Sequence, residues 1–194
     1  MWCGGQKATI TTGGIENTMN ELLQLMLHRR SVRKYTGEAI PEDKLKLILQ
    51  AGLSSATSKN RKPWEFVVVK KKETLHALAK CRAGAAGMLE YAGCAIVVFA
   101  DTLITPDVWV EDCSIAMSNM HLMADVLGLG SCWIQGRCRE AADGQSTEEY
   151  CRKLLGVPEH YALEAILSIG VPEERPKGYT VEDLKEEKIH WEKF

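Results

Sequence analysis

Four cations and a hydroxyl stand within six residues at Arg29-Arg30-Ser31-Val32-Arg33-Lys34, and Tyr35 follows. Guanidinium forks match the oxygens of a phosphate, and serine adds a hydrogen bond, so this cluster could clamp a phosphate. The same cations would also suit the C-terminal end of a helix through its macrodipole, in a solvated turn. A second group, Ser54-Ser55-Ala56-Thr57-Ser58-Lys59-Asn60-Arg61-Lys62-Pro63-Trp64, offers hydroxyl and amide groups to the edge of a planar ligand. Read blandly, it is a polar loop bonding its own backbone. The third group is Gly128-Leu129-Gly130-Ser131-Cys132-Trp133-Ile134-Gln135-Gly136, whose glycines let backbone approach a ligand closely. It also reads as a helix stop followed by a buried strand.

The elements that would position these groups follow from apolar periodicity. A helix is expected from Asn20, its cap, through Leu22, Leu23, Met26 and Leu27. Pro41 opens another, with Leu45, Ile48, Leu49 and Gly52 on one face. Strands are expected at Phe66–Val69, Cys94–Ala100, Ser131–Gln135 and Leu163–Ile169, and helices at Thr74–Cys81 and Asp107–Leu127. Ser146 and Glu149 form a capping box for a helix ending before Gly156. Helices and strands interleaved in this way suggest, on pattern alone, a parallel α/β sheet. The Asp107–Leu127 helix is apolar around more than one face, which predicts burial on two sides, one of them against a second copy. In the tail, Ile189, Trp191 and Phe194 alternate like a short strand that needs a partner.

Composition excludes several classes. The chain has 194 residues, 45% of them hydrophobic and 26% charged, with a formal charge of -2. Such a balance supports neither a broad nucleic-acid surface nor a polybasic membrane surface. The apolar run Cys94–Ala100 is too short to span a bilayer, and no secretory leader is expected, so a cytoplasmic location is expected. Seven cysteines, none in a C-x-x-C pair or a zinc-ligand spacing, predict free thiols and no metal. The dinucleotide fingerprint, the P-loop and the H-E-x-x-H pair are absent. Residues 1–18 lack periodicity and read as a weakly folded N-terminal extension before Met19. Residues 19–194 read as one domain.

Together the three groups carry a resemblance. R-R-S-V-R-x-[FY], then N-R-x-P-W-x-F-V-V-V, then L-G-L-G-S-C-W-I after a long helix, then a strand ending G-x-P, resembles the nitroreductase family over residues 20–194. The resemblance implies an α+β fold, a mixed, largely antiparallel sheet flanked by helices, in an intertwined homodimer with FMN between the subunits. That expectation replaces the parallel sheet. It further implies that Arg29 and Ser31 hold the FMN phosphate with Arg30 nearby, and that Arg33 reaches the N1/O2 side of the ring. Ala56, Thr57, Ser58 and Asn60 would come from the partner subunit, and Cys132, Trp133 and Ile134 would lie along the ring. Lys188 would complete the phosphate site, in preference to Arg175, Lys177 or Lys185. Lys62 stands where the family has Gln, and Ala56 where it has Pro.

The function so implied is an FMN-dependent NAD(P)H oxidoreductase, reduced by NADH or NADPH. It would pass hydride in ping-pong fashion to a small-molecule acceptor such as a nitroaromatic or quinone. Flavin N5 would be the reactive centre, with no catalytic side chain required. The alternatives are a flavin-binding protein without nicotinamide turnover, or a specialised flavoenzyme such as a reductive dehalogenase. His121, Cys132 and the methionines of the long helix read as packing residues.

Overall fold

The computed structural model describes residues 21–194, so the readings of residues 1–18, Met19 and the Asn20 cap lie outside the described residues. The chain forms two compact units, residues 30–177 and one that includes 21–29 and 178–194.

The larger unit is built on four strands. They are β1 (Trp64–Val69), β2 (Cys94–Asp101), β3 (Gly130–Gln135) and β4 (Tyr161–Gly170). Their order is β1-β2-β4-β3, and every neighbouring pair is antiparallel. β2 and β4 lie in the middle, which is why their sequences read as nearly continuous apolar runs. The parallel element is an isolated pairing of Ser31 with Ser131. The interleaved helices therefore do not mark parallel crossovers; they cover the faces of a sheet whose neighbours run in opposite directions.

With the helix at residues 21–28 as α1, the larger unit holds α2 (Glu42–Leu53), α3 (Lys72–Leu78), α4 (Trp109–Val126) and α5 (Thr147–Leu155). One face of the sheet packs Ile96, Val98 and Leu167 against Met117 and Met120 of α4 and Ile48 of α2. The other packs Val97, Phe99 and Ile166 against Leu75 and Leu78 of α3 and Cys151 of α5. The register skips one residue, pairing Val98 with Ala165 and Phe99 with Leu163, so Glu164 sits on a β-bulge. Ser146 caps α5 by accepting from the Glu149 N–H at 3.1 Å, and Gly156 ends it at φ 70°. Ile115 and Val126 of α4 remain exposed.

In the smaller unit the N–H of Tyr179 donates to the carbonyl of Leu27 at 2.8 Å, docking the start of the tail on the end of α1. A Cβ at Gly178 would stand 3.1 Å from that carbonyl oxygen. The tail then makes single helical turns at Val181–Asp183 and Glu186–Lys188. Within one chain Ile189, Trp191 and Phe194 form no strand, and all three side chains are exposed. Alternation alone cannot make a strand where no neighbouring strand takes up its backbone hydrogen bonds. No helix among the described residues is long and apolar enough to cross a membrane.

Candidate functional site

The arginine-rich cluster becomes a strap along the edge of the sheet. Ser31 pairs with Ser131, and the Val32 N–H donates to the Ser131 carbonyl at 2.9 Å. Val32 and Tyr35 turn inward and are 2% exposed, whereas Arg33 is exposed and Ser31 half-buried. The Tyr35 hydroxyl donates to the Val32 carbonyl at 2.7 Å and lies 2.8 Å from Ser168 Oγ. Burial pushes its phenol well above the usual range, so it stays neutral and anchors the strap. Beneath the strap, His121 Nδ1 lies 2.5 Å from Ser131 Oγ. His121 is thus buried among packing residues, as expected, but it also has a polar task.

β3 is the edge strand beside this strap. The Ser131 carbonyl points outward to Val32, whereas the Cys132 carbonyl points inward and accepts from Ser168 Oγ at 3.3 Å. Strand alternation then turns the backbone of Trp133 and Gln135 outward as well. The next residue points inward again, because the Gly136 N–H donates to the Glu164 carbonyl at 3.1 Å. Beyond Ser131, no described residue forms a bridge along this outer edge. Cys132 and Ile134 bury their side chains in the core and turn their backbone toward β4, so neither presents a polar group to the outer edge. Trp133 is half-buried, its Nε1–H donating to Gln135 Oε1 at 2.9 Å. Gln135 was not among the expected site residues; counting by two from Ser131 finds it.

The loop after α2 is pinned elsewhere. The Ser58 N–H donates to Oδ1 of the buried Asp112 at 2.8 Å, in the first turn of α4. Asn119 Nδ2 donates to Ser55 Oγ at 2.8 Å, and Arg61 reaches the Ile104 carbonyl at 2.8 Å. Lys59, Asn60 and Lys62 all have positive φ (51°, 56° and 53°), and the Lys62 N–H is 3.3 Å from Thr57 Oγ1. Ala56 and Asn60 are exposed, and Thr57 and Ser58 half-buried. Asp112 and His121 are nine residues apart on α4, roughly 14 Å along its axis at 1.5 Å per residue. Within one chain, then, the strap and the loop are anchored about 14 Å apart along one helix.

Arg29 and Lys188 belong to the smaller unit, where the Arg29 N–H donates to the Leu25 carbonyl at 3.0 Å and Lys188 is exposed. Arg30 is half-buried at the start of the strap. Arg175 lies 2.8 Å from Asp125 Oδ1, so its guanidinium is engaged. Among the described residues no group of three His, Cys, Asp or Glu side chains could hold a metal.

The chain matches the nitroreductase family over residues 26–86 and 79–171. A protein of Archaeoglobus fulgidus named as an NADH dehydrogenase/NAD(P)H nitroreductase is 34% identical over 180 residues, 91% of this chain and 100% of that one. The NADPH-flavin oxidoreductase of Vibrio harveyi is 30% identical over 173 residues, 82% of this chain and 69% of that one. Among solved structures, an FMN-dependent nitroreductase from Clostridium difficile R20291 superimposes with a TM-score of 0.86 at 43% identity, covering 89% of this chain and 99% of that one. Strap, open strand edge and antiparallel sheet thus sit in a chain that matches over most of its length, and the chain belongs to the nitroreductase family.

Proposed function

We propose that the chain is an FMN-dependent NAD(P)H oxidoreductase that works by a ping-pong cycle, with a nitroaromatic, quinone or similar small molecule as acceptor. The observation that carries this reading is the strap seated beside the open edge of β3. It runs Ser31 and the arginines that flank it along the edge of β3, whose outward backbone N–H groups stand on a rigid scaffold. That donor set fits the cofactor: phosphate oxygens call for guanidinium and hydroxyl partners, and the polar rim of an isoalloxazine calls for backbone donors. FMN, when bound, supplies the hydride-accepting and hydride-donating centre.

The chain's own residues bind and orient. Ser31 and Arg30 would take the phosphate; Arg29 and Lys188, the other cations expected for it, belong to the smaller unit. Arg33 would supply a fixed positive charge where negative charge builds on reduction. The outward N–H groups of Trp133 and Gln135 would hold the ring edge, with Cys132 and Ile134 fixing the strand from the core side. Thr57, Ser58 and Asn60, with Ala56, would arrive from a second copy. The roughly 14 Å between the two anchors on α4 supports this, as do the exposed Ile115 and Val126 on that helix. A homodimer is the assembly proposed.

The test is direct. Purified protein should be yellow and retain FMN through gel filtration as a dimer, and stopped flow should show bleaching by NADH or NADPH and recovery on adding a quinone. Colourless protein that takes up no FMN overturns the proposal. Bound FMN that neither nicotinamide bleaches would leave a flavin-binding protein without turnover.

A further inference from the structure

Where β3 ends, the chain builds a basic groove that the cofactor site above does not use. Two adjoining cavities, of about 420 Å³ and 310 Å³, share Cys138, Arg139 and Glu140. Arg137 lines the first and Arg82 the second. Three arginines thus line the two cavities, with Arg139 common to both, in a chain whose overall charge is -2. Of the two carboxylates in the lining, Glu148 is already engaged, 3.4 Å from Arg152 and accepting the Leu163 N–H at 2.9 Å. With Arg137 paired to Glu164, that leaves Arg82 and Arg139 against Glu140, a net positive lining.

The scaffold is fixed on three sides. The Gly136 and Arg137 N–H groups both donate to the carbonyl of the bulged Glu164, at 3.1 and 3.0 Å. The Arg139 carbonyl accepts from Thr147 at the start of α5 (2.8 Å), and the Glu140 carbonyl accepts from Ala83 beside Arg82 (3.0 Å). From below, the Glu164 carboxylate, 4% exposed, lies 3.8 Å from Arg137 Nε and orients it. Arg139 spends one N–H on the Cys138 carbonyl at 2.8 Å and keeps the rest of its fork.

Position gives the groove its meaning. Arg139 is four residues beyond Gln135, whose outward backbone marks the end of the open edge, at most about 14 Å of extended chain away. NADH and NADPH differ by one phosphate monoester on the adenosine ribose, the group that a cluster of arginine forks is suited to grip. We propose that this groove binds the phosphate-bearing adenosine end of NADPH and makes the chain selective for NADPH over NADH. The proposal rests on the oxidoreductase reading. Arg82 and Arg139 are its direct phosphate contacts.

The test uses the full chain and two readouts. Isothermal titration with 2′,5′-ADP, 5′-AMP and inorganic phosphate needs no flavin turnover. Tenfold or tighter binding of 2′,5′-ADP than of either other probe is expected. Arg82→Ala and Arg139→Ala should each weaken it tenfold or more. Stopped-flow reduction of the FMN-loaded protein should show the NADPH-to-NADH ratio of dissociation constants rising by a similar factor in both variants. Arg139→Lys keeps the charge and lacks the fork, so it should fall between wild type and alanine; it replaces the alanine variant if that does not fold. Equal binding of 2′,5′-ADP and 5′-AMP overturns the proposal, as do variants that move both dinucleotides alike. Phosphate binding as tightly as 2′,5′-ADP overturns the nucleotide assignment. Protein that takes up no FMN but still discriminates the nucleotides would instead fault the oxidoreductase reading.

Discussion

Gly130→Ala is the sharpest test of the strap. A Cβ at that position would stand 2.7 Å from Val32 Cγ1, 2.8 Å from Val32 Cβ and 3.1 Å from Val32 Cγ2. Real Cβ atoms do not approach so closely, and a rotamer change cannot relieve the contact, because Val32 Cβ itself is among the clashing atoms. Val32 is 2% exposed and its N–H is tied to Ser131, so the strap as a whole must lift from β3. Overpacking of a tight contact costs about 1–3 kcal/mol, and the lost Val32 hydrogen bond adds about 1 kcal/mol. For a chain of this length, about 2 kcal/mol lowers Tm by roughly 4–8 °C. Ser31 and Arg33 ride on the strap, so FMN affinity should fall at least tenfold in the same variant. Thermal melts followed by circular dichroism, and FMN titration followed by flavin fluorescence, read the two effects. Gly87→Ala is the control, since no atom lies within 4 Å of a Cβ there. A Gly130→Ala protein with wild-type Tm and FMN affinity would refute the strap argument.

Tyr35→Phe removes the hydroxyl that joins the Val32 carbonyl to Ser168, leaving buried polar groups short of a partner; urea unfolding should show a loss of about 1–3 kcal/mol. Alkaline pH should destabilise the fold through its buried thiols. Burial pushes Cys94 and Cys113 from an ordinary 9.0 up to about 12, so the unfolded chain loses these protons first and stability falls as pH rises through 9 towards 12. Between about pH 8 and pH 10 the two thiols together should remove about 2–3 kcal/mol from the unfolding free energy, and a flat profile over that interval would contradict their burial. Cys151, raised by the hydrogen bond with Cys81 and by burial, acts in the same direction.

Parts of this structure that depend on short-range pattern are legible in the sequence. The strap is one: it is a contiguous motif whose apolar Val32 and Tyr35 are buried and whose charged Arg33 and Lys34 are exposed. α5 is another, because Ser146, Glu149 and Gly156 state its ends locally. What the sequence hides depends on partners distant along the chain. Glu164 sits in a run read as plain strand, and only the pairing of β2 with β4 shows that it is skipped. Arg175 looked available for a phosphate until Asp125, fifty residues earlier, was found against it.

The site divides along this line. The strap half of the proposed site is a contiguous motif, while its loop half is defined by where Asp112 pins Ser58. The two anchors lie about 14 Å apart on α4, a spacing that a helix of this length imposes regardless of loop conformation. Asp112 fixes the loop at its end of α4, and in the homodimer proposed above the partner's copy of the loop would meet the strap. Asp112 is then a structural precondition of the site rather than a member of it. Its buried Oδ2 lacks a hydrogen-bond partner among the described residues, which leaves Ser58 as the polar contact that justifies its burial.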